Sequence, residues 1–401
     1  MESCDCLVVG GGPAGSSCAR ALVQAGFDVI VLDKSPFPRD KVCAGWITPA
    51  VIDELEIDLD DYRAGRVLQP ICGFRTGLIG GRLVSTQYGR AVSYGIRRCE
   101  FDHYLLARSG ARLRLGDPFD GMSRENGHWI VNGAIRAPVV VGAGGHFCPV
   151  ARLTTESAGG ETVVLAQEIE FEMPPDEADK CRVEPQVPEL YFCQDLAGYA
   201  WCFRKGNFLN VGLGREGESR LSSHVAEFCH WLEQLGRVPL STHARFRGHA
   251  YRLYRGPRRR VAADAVLVIG DAAGLAYPQS GEGIRPAIES GLLAADVIID
   301  ARGDYRQAAL GALERRLAAR FGRTGPSPNR PGLLPAAWRR AIGRRLLATG
   351  WFSRHVVIDR WFLHANQPAL PSRRVAKSAT HSLAVSAPRC AQHRIEERRV
   401  P

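Results

Sequence analysis

Apolar residues near the start of the chain fall in short runs separated by glycines. Cys6 to Val9 is a run of four apolar residues, which predicts a buried parallel strand. The next stretch, Ser16 to Ala25, predicts a helix that ends at Gly26. A second apolar run, Val29 to Leu32, predicts another buried strand. Strand, glycine-rich turn, helix and strand in this order predict a βαβ unit with a parallel sheet.

Two later apolar runs also lead directly into glycines. Val139 to Val141 and Ala265 to Ile269 both predict buried strands that return to the parallel sheet. A loop with the sequence Gly281 to Ile284 follows the second of these strands. Beyond the loop, helical spacing predicts a long helix from Arg285 to about Asp300.

The middle of the chain has a different pattern, typical of antiparallel strands. Strands are predicted at Thr162–Met173, Glu189–Phe192, Ala200–Phe203 and Phe208–Gly212, and a covering helix is predicted at Ser223–Leu235. Because the nucleotide-type strands lie on both sides of this region, we expect a second domain inserted into the first. The predicted fold class is α/β: a Rossmann-like domain, an inserted antiparallel β-sheet substrate domain and a C-terminal helical region.

The predicted domain boundaries follow from these changes of pattern. Segments 1–60, 90–153 and 255–303 form the nucleotide-binding domain, and segments 61–89 and 154–254 form the β-sheet domain. Residues 304–369 form the C-terminal helical region. Residues 370–401 are polar, basic and aperiodic, so we expect a disordered tail.

One predicted helix of the C-terminal region is basic and amphipathic. Trp338, Ile342 and Leu346 recur every four residues, and Arg340 and Arg344 lie roughly opposite them. Such a helix can lie on a membrane surface. A helix docked on the rest of the protein is the alternative, and the sequence leaves both open.

Composition narrows the classes of function. The chain of 401 residues has a formal net charge of +10 but no pattern of an RNA-binding or helix-turn-helix module, so we expect no nucleic-acid partner. No Cys-x-x-Cys pair occurs, and we predict no metal site. There is no run of about 20 apolar residues and the first strand begins almost at once. We therefore expect a cytoplasmic protein, membrane-associated if the basic helix binds lipid.

The first glycine-rich turn carries the clearest chemistry. Gly10, Gly12 and Gly15 have the spacing Gly-x-Gly-x-x-Gly, with Pro13 and Ala14 between the last two. In this pattern the first glycine allows a tight turn, the second lets backbone approach a pyrophosphate, and the third allows close packing of helix and strand. Asp33 lies 18 residues after Gly15, where a carboxylate that binds a ribose belongs. Together these features predict a dinucleotide site.

Taken together, the segments resemble the flavoprotein oxidoreductases of the para-hydroxybenzoate-hydroxylase fold, and within them the geranylgeranyl reductase family, over roughly residues 5–300. Arg98-x-x-Phe101-Asp102 and Gly270-Asp271 are general to the superfamily. Three stretches are more specific. Arg39 to Gly45 resembles the family's Lys-x-Cys-Gly-Gly loop, Tyr199 to Phe203 followed by Asn210 to Gly214 resembles its Tyr-x-Trp-x-Phe-Pro strand, and Gly270 to Ile284 is the closest match.

The sequence also departs from the family pattern. Arg204 stands where a proline follows the Phe, and Ala44 replaces a glycine of the cysteine loop. The superfamily's Asp-Gly signature, associated with handling of FAD and NADPH, has Gly144 in place of its Asp. The reductant implied by the resemblance is therefore NADPH or another electron donor, such as ferredoxin.

The resemblance implies FAD as cofactor. Gly10, Gly12 and Gly15 are expected at the pyrophosphate, Asp33 at the adenosine ribose, Arg98 and Asp271 at phosphate or ribityl oxygens, and the N–H groups from Gly281 to Ile284 at the flavin N1/O2 edge. The cofactor-binding residues predicted are Gly10, Gly12, Pro13, Ala14, Gly15, Asp33, Lys34, Arg39, Cys43, Ala44, Gly45, Arg98, Gly270, Asp271, Gly281, Gly283 and Ile284.

The implied activity is reduction of carbon–carbon double bonds in a prenyl chain by hydride from reduced flavin N5, with a lipophilic small molecule as substrate. The predicted catalytic residues are Cys43, Tyr199 and Trp201. Tyr199, Trp201 and Phe203 share one face of a strand and could line the pocket, or form a cross-strand core cluster. Cys43 is either a proton donor or an inert thiol.

Two other functions fit the same fold. One is a flavin-dependent monooxygenase or halogenase acting on an aromatic or lipophilic molecule, for which Lys41 is the one lysine in a suitable loop. The other is a prenyl-lipid escort protein that binds no flavin. The intact glycine motif, Asp33 and Gly270-Asp271 disfavour the escort protein.

Overall fold

The computed structural model describes residues 1–154, 163–217, 220–238, 246–256, 260–322 and 335–371. In chain order its strands are β1 (Glu2–Ser3), β2 (Cys6–Val9), β3 (Val29–Asp33), β4 (Trp46–Ile47), β5 (Leu68–Ile71), β6 (Gly73–Leu78), β7 (Val84–Gln87), β8 (Ser93–Ile96), β9 (Arg112–Leu115), β10 (Met122–Glu125), β11 (His128–Val131), β12 (Ile135–Ala137), β13 (Val140–Gly142), β14 (Val163–Glu172), β15 (Glu189–Phe192), β16 (Gly198–Lys205), β17 (Phe208–Glu216), β18 (Arg247–Arg252), β19 (Ala262–Ala263) and β20 (Val266–Val268).

The helices, again in chain order, are α1 (Pro13–Gln24), α2 (Pro49–Leu55), α3 (Leu59–Arg63), α4 (Arg98–Ala107), α5 (Pro149–Thr154), α6 (Pro175–Lys180), α7 (Leu221–Gln234), α8 (Ile284–Ala301), α9 (Gln307–Leu310), α10 (Ala312–Phe321), α11 (Ala336–Leu347) and α12 (Gly350–Phe352). A 3₁₀ turn spans Gly270–Ala273, and a π-helix spans Ser353–Phe362. The predicted α/β class, with a helical C-terminal region, is confirmed.

The nucleotide-type sheet has six strands in the order β19-β20-β13-β2-β3-β9. The four pairings from β20 to β9 are parallel, and only β19 runs antiparallel to its neighbour. Numbered along the chain, the parallel strands have the order 3-2-1-4-5, which is that of a Rossmann fold. The strand order reverses between β2 and β13, and ligands bind such sheets at this point, beside the carboxyl ends of the strands.

Glycines allow the backbone to pack against itself at this reversal. A Cβ on Gly15 would lie 1.9 Å from the carbonyl oxygen of Gly10, so α1 can begin directly over the end of β2. A Cβ on Gly10, whose φ is +115°, would lie 2.4 Å from the carbonyl oxygen of Ala143, at the end of β13. Only glycine fits at either position.

Helix α8 packs against α1 through another glycine. A Cβ on Gly291 would lie 2.3 Å from the carbonyl oxygen of Ala14. Ile288, Ala294 and Ala295 are fully buried on the inner side of α8. The predicted long helix is thereby confirmed, and its second turn, which contains Gly291, lies against the first turn of α1.

The inserted sheet has seven strands in the order β18-β14-β17-β16-β15-β6-β7. Its pairs are antiparallel except β15 with β6, which is parallel because β6 comes from the earlier segment of the chain. Helix α7 covers one face through Val225, Phe228 and Leu232. The predicted hairpin and covering helix are present, and Thr162 of the first predicted strand lies outside the described residues.

The prolines and the glycine of residues 34–50 predict a long loop, which is shorter in the structure. It ends in β4, which pairs with β8 in a three-stranded sheet, and α2 begins at Pro49. The indole of Trp46 stacks on Phe203 with ring centroids 5.1 Å apart. Tertiary packing of Trp46 thus orders a segment whose prolines and glycine suggested an irregular loop.

The C-terminal region differs most from expectation. Helix α11 docks by the side that the sequence pattern took as polar: Leu347 is 4% exposed, and Gly343 lies against Leu196. The apolar stripe points outward, with Trp338 65%, Ile342 42% and Leu346 40% exposed. The helix is therefore docked on the protein, one of the two outcomes that the sequence left open, while its apolar stripe stays exposed. The predicted disordered tail falls, from residue 372 on, outside the described residues.

A buried cluster of charges fastens this region to α8. Glu289 is fully buried and accepts hydrogen bonds from Arg285 Nε and Arg320 Nε, both at 2.8 Å. Arg285 and Arg320 also donate to the backbone oxygens of Pro368 at 2.9 and 2.7 Å. Glu54 lies 3.7 Å from both guanidinium groups, and burial, followed by repulsion from Glu289, raises its pKa to about 8.

Replacing Glu289 by alanine is expected to lower the free energy of unfolding by about 3 kcal/mol, because it leaves two arginines in a dry environment without their main partner. Urea unfolding followed by tryptophan fluorescence measures the loss. Glu289→Gln should show most of the same loss of stability, because it removes the carboxylate charge but keeps the side-chain volume. Asp304→Ala, in an exposed ion pair with Arg306, serves as the control and should unfold as the wild type does. Wild-type stability of Glu289→Ala would contradict the role given to the cluster.

Candidate active site

A single cleft runs along the carboxyl ends of the parallel strands and onto the face of the inserted sheet. Its cavity volume is about 440 Å³. At one end it is lined by the glycine-rich turn and by Asp33, in the middle by the Cys43 loop and the start of α8, and at the other end by aromatic residues of β16. All predicted site residues line the cleft except Gly15 and Gly270, which serve in packing beside it.

The glycine-rich end has free backbone where a phosphate could approach. Gly12 precedes α1, with Pro13 as the first helical residue, and the nearest atom to a Cβ on Gly12 would be Arg39 Nη2 at 3.5 Å. Asp33 ends β3 and accepts hydrogen bonds from the N–H groups of Gly11 (2.7 Å) and Ser35 (2.9 Å). Its carboxylate therefore sits beside the turn, with lone pairs left for a ligand.

Arg98 is placed by a bidentate ion pair. Its Nε and Nη2 donate to the two carboxylate oxygens of Asp102 at 2.8 and 2.9 Å, one turn along α4. Burial opposes its charge, but Asp102 and the adjacent Cys43 raise the pKa of Arg98 above its ordinary value. Arg39 Nη1 lies 3.3 Å from Asp102 as well. Two fixed positive charges thus border the middle of the cleft.

Asp271 faces a second cationic group that the sequence did not reveal. Its Oδ2 lies 3.7 Å from Nε2 of His249, and Lys41 Nζ lies 2.8 Å from the same nitrogen. Burial lowers the pKa of Lys41 to about 8. Burial would raise the pKa of Asp271, but His249 and Lys41 hold it below its usual value. His249 gives no signal in the sequence, because β18 is separated from Asp271 by a loop and two strands.

The start of α8 borders the cleft next to the aromatic end. Gly281 has a φ of +66°, and a Cβ there would lie 2.3 Å from the hydroxyl of Tyr251. Gly283 precedes the helix and Ile284 is its first residue. Ser280 accepts a hydrogen bond at its backbone oxygen from the hydroxyl of Tyr199 at 2.5 Å. The N–H groups of a helix start therefore border the cleft where the sequence placed them.

Aromatic rings form the far end. Tyr199, Trp201 and Phe203 all line the cleft, as expected for alternate residues of one strand, together with Trp46 and Leu190. Trp201 lies flat over the opposite strand because Gly212 there has no Cβ, which would be 2.3 Å from the indole. The same rings belong to a buried apolar cluster with Phe362. The cluster and the pocket wall, proposed as alternatives, are one and the same surface.

Polar side chains of the inserted sheet hold the Cys43 loop in place. Asn210 donates to the backbone oxygen of Cys43 at 3.2 Å and accepts from Trp201 Nε1 at 2.6 Å. Glu168 is hydrogen-bonded to the backbone N–H of Cys43, and burial raises the pKa of this carboxyl to about 7. Asn210 and Glu168 thus fix Cys43 relative to Trp201. Two glutamates at alternate positions of the predicted strand, Glu168 and Glu170, were the available signal for this network.

The residues fit FAD. The open backbone at Gly12, the carboxylate of Asp33, the buried cations and the helix start at Gly283 all line a single cleft, and these are the groups that a dinucleotide requires. Among the residues the structure describes, no group of three or more His, Cys, Asp or Glu side chains is arranged to hold a metal ion.

Comparison with known proteins gives the class of the chain. A sequence profile of the family described as FAD dependent oxidoreductase matches residues 5–97. A digeranylgeranylglycerophospholipid reductase of Methanocaldococcus jannaschii is 27% identical over 332 residues, which cover 78% of this chain and 81% of that protein. A menaquinone reductase of Mycobacterium tuberculosis is 29% identical over 318 residues, covering 74% of this chain and 77% of that protein.

Solved structures share the fold. A geranylgeranyl bacteriochlorophyll reductase-like protein from Thermoplasma acidophilum has a TM-score of 0.64 at 23% identity, covering 87% of this chain and 88% of that one. A halogenase mutant in complex with FAD has a TM-score of 0.62 at 15% identity, covering 90% of this chain and 85% of that one. The protein is an FAD-dependent oxidoreductase that has digeranylgeranylglycerophospholipid reductases among its homologues.

Proposed function

We propose that the protein reduces carbon–carbon double bonds of a prenyl chain. The observation that carries the proposal is the continuity of the cleft: its dinucleotide end opens directly onto a wall of Trp46, Tyr199, Trp201 and Phe203. An apolar, aromatic end beside the redox site suits a chain of isoprene units. The homologues named for reduction of digeranylgeranyl lipids and of menaquinone support this substrate class.

The chain's own residues supply the environment that the reaction needs. An isolated double bond accepts hydride poorly, so positive charge must develop on carbon and be stabilised. Faces of Trp201 and Tyr199 can do so, and the apolar walls around them exclude water. Bound FAD supplies the hydride. Cys43, held by Asn210 and Glu168 at the edge of the aromatic wall, is placed to contact the reacting chain.

The cofactor contacts are part of the proposal. The N–H groups at Gly12 to Ala14 bind the pyrophosphate, and Asp33 binds the ribose. Arg98 and Asp271 bind phosphate or ribityl oxygens between the two ends. The start of α8, from Gly281 to Ile284, stabilises negative charge on the reduced flavin through its N–H groups. With Gly144 in place of the superfamily's Asp, we propose a reduced electron-transfer protein such as ferredoxin as donor, and NADPH as the alternative.

A monooxygenase or halogenase remains the second candidate because Lys41 contacts His249 within the cleft. One experiment distinguishes the two candidate functions. The purified holoprotein is reduced anaerobically and then mixed with a digeranylgeranyl lipid, menaquinone or an aromatic compound. We expect a prenyl chain to reoxidise the flavin and to gain two hydrogens per double bond, as mass spectrometry shows. Reoxidation by oxygen alone, with oxygen or halogen in the product, would refute the reductase. A fully saturated lipid is the control.

Asp271→Ala is expected to lose flavin. Without the carboxylate, Lys41 remains as an unbalanced buried cation beside the cofactor site, and one ligand group is lost. We expect about tenfold weaker retention of FAD, measured by absorbance at 450 nm after extensive dialysis. Asp304→Ala, an exposed carboxylate, is the control. An Asp271→Ala protein that stays fully yellow would show that this residue does not hold the cofactor.

We also propose that the protein contacts membranes through what we call the outer face, formed by Trp338, Ile342, Leu346 and Trp351. Trp351 is 69% exposed, so both tryptophans project from the C-terminal region. Arg339 and Arg345 flank the stripe, and Arg344, Arg354 and Arg360 are exposed nearby. Tryptophans ringed by arginines match the interface of a membrane with anionic lipids.

The position of the outer face agrees with the substrate class. The opposite sides of the same segments, through Leu347, Val357 and Phe362, pack into the apolar cluster that contains Trp201 and Phe203. A bilayer at the outer face would thus hold prenyl lipids close to the aromatic end of the cleft. No helix among the described residues is long and apolar enough to cross a bilayer, so the contact is peripheral.

The double variant Trp338→Ala/Trp351→Ala should bind vesicles of phosphatidylcholine and phosphatidylglycerol about tenfold more weakly than the wild type, because two interfacial anchors are lost. Flotation assays measure the bound fraction. Leu235→Ala removes an exposed apolar side chain elsewhere and should bind normally. Pure phosphatidylcholine vesicles should bind weakly in every case. Equal binding by wild type and double variant would contradict the proposal.

A further inference from the structure

Glu282 is a buried carboxyl group on the wall of the cleft. It lies in the loop before α8, and its Oε1 accepts a hydrogen bond from the backbone N–H of Arg285 at 3.3 Å. Its Oε2 is buried without any hydrogen-bond partner in the described part of the chain. A buried oxygen in this state costs free energy. The hydrogen bond that Oε1 accepts at the start of α8 leaves Oε2 unsatisfied.

His364 faces this oxygen. Its Nε2 lies 3.9 Å from Glu282 Oε2, and among the described residues it too is buried with no hydrogen-bond partner. The imidazole stacks on Tyr277 with ring centroids 3.6 Å apart. The backbone of His364 has a φ of +47°, in the left-handed region that residues other than glycine rarely adopt. Such a conformation persists where the surrounding structure fixes the residue, and it is common at functional sites.

The pair connects two cavities. Besides the cleft there is a second cavity of about 340 Å³, lined by His364, Tyr277, Gln279, Asn366 and Gln367 among others. None of its lining residues lines the cleft. Glu282 belongs to the first cavity and His364 to the second, so the two side chains together span the wall between them. Two facing, unpartnered polar groups across such a wall provide a path for protons.

We propose that Glu282 and His364 relay protons from the second cavity into the cleft. The inference rests on the proposed function, because each hydride added to a double bond requires one proton at the other carbon. The π electron pair of the double bond forms the new C–H bond with the proton of Glu282, whose O–H electron pair stays on oxygen. His364 then takes a proton at Nδ1 from the solvent of the second cavity as Nε2 returns its proton to Glu282, so the imidazole is never left as an anion. The net consumption is one hydride, from reduced flavin, and one proton from solvent.

The charges around the pair set its pH range. Burial raises the pKa of Glu282 to about 7, although Arg285 acts in the opposite direction. Burial and then Arg285 lower the pKa of His364 to about 4. Glu289 faces both groups, while Tyr199 and Tyr277 face Glu282. Since Glu282 must be protonated to act, the rate should fall as pH rises through about 7, and neutral His364 carries each proton only in passing.

The kinetic test compares Glu282→Gln and His364→Asn in the holoenzyme with a prenyl substrate, under anaerobic single-turnover conditions. Glutamine keeps the cap on Arg285 but carries no acidic proton, so we expect about a 10²-fold slower reduction and no fall of rate above pH 7. Asparagine tolerates the left-handed backbone of residue 364. It should slow the reaction about tenfold, and added imidazole should restore the rate. Wild-type rate and pH profile in Glu282→Gln would overturn the relay.

Infrared spectroscopy gives a measurement that needs no substrate. The spectrum of wild type minus Glu282→Gln should contain the carbonyl band of a protonated carboxyl group that titrates near pH 7. In D₂O its exchange should be about tenfold slower in His364→Asn. His355→Asn, an exposed histidine of the same segment, is the matched control and should leave the band and its exchange unchanged.

A band that is absent, or that exchanges equally fast in both histidine variants, would refute the relay even if prenyl reduction is observed. Failure of prenyl reduction with an intact band and a His364-dependent exchange would instead refute the proposed function.

Discussion

Direct approach of backbone to backbone at the reversal of the parallel sheet is the constraint on which the rest of the structure depends. A Cβ at Gly15 would overlap the carbonyl of Gly10, and one at Gly291 would overlap that of Ala14. These contacts place α1 and α8 side by side with both first turns at the same edge of the sheet. Because a helix start presents unpaired N–H groups, this edge attracts negative charge at both helices.

The cleft combines fixed charges with an apolar end, and each depends on burial. Arg98 keeps its charge inside the protein because Asp102 binds it bidentately, and Asp271 does so because His249 and Lys41 lie beside it. At the other end, Trp201 can lie flat only because Gly212 opposite has no side chain. In a low-dielectric environment, charges interact strongly with a bound cofactor. Aromatic rings from which water is excluded stabilise positive charge that develops on a carbon atom.

The C-terminal region packs behind the aromatic wall of the cleft and is attached to α8. Phe362 packs against Tyr199 with ring centroids 5.2 Å apart, and the charge cluster around Glu289 ties residues 367 and 368 to α8. His364 lies between these two attachments, in contact distance of Tyr277. The same short segment thus packs behind the aromatic end of the cleft and carries His364, which faces Glu282. It follows α11, the helix that exposes Trp338.

The sequence by itself determined the βαβ unit, the positions of the main strands along the chain and the residues at the glycine-rich end of the cleft. These follow from hydrophobic periodicity and glycine spacing, which are local properties. It also placed Tyr199, Trp201 and Phe203 on one face, which follows from the two-residue period of a strand. It could not bring His249 to Asp271, Glu168 to Cys43 or His364 to Glu282, since these pairs come from distant segments. Nor could it tell which side of α11 docks: the side chain of Leu347 fits the apolar cluster, and that fit, decided only by tertiary packing, leaves the stronger apolar stripe in solvent.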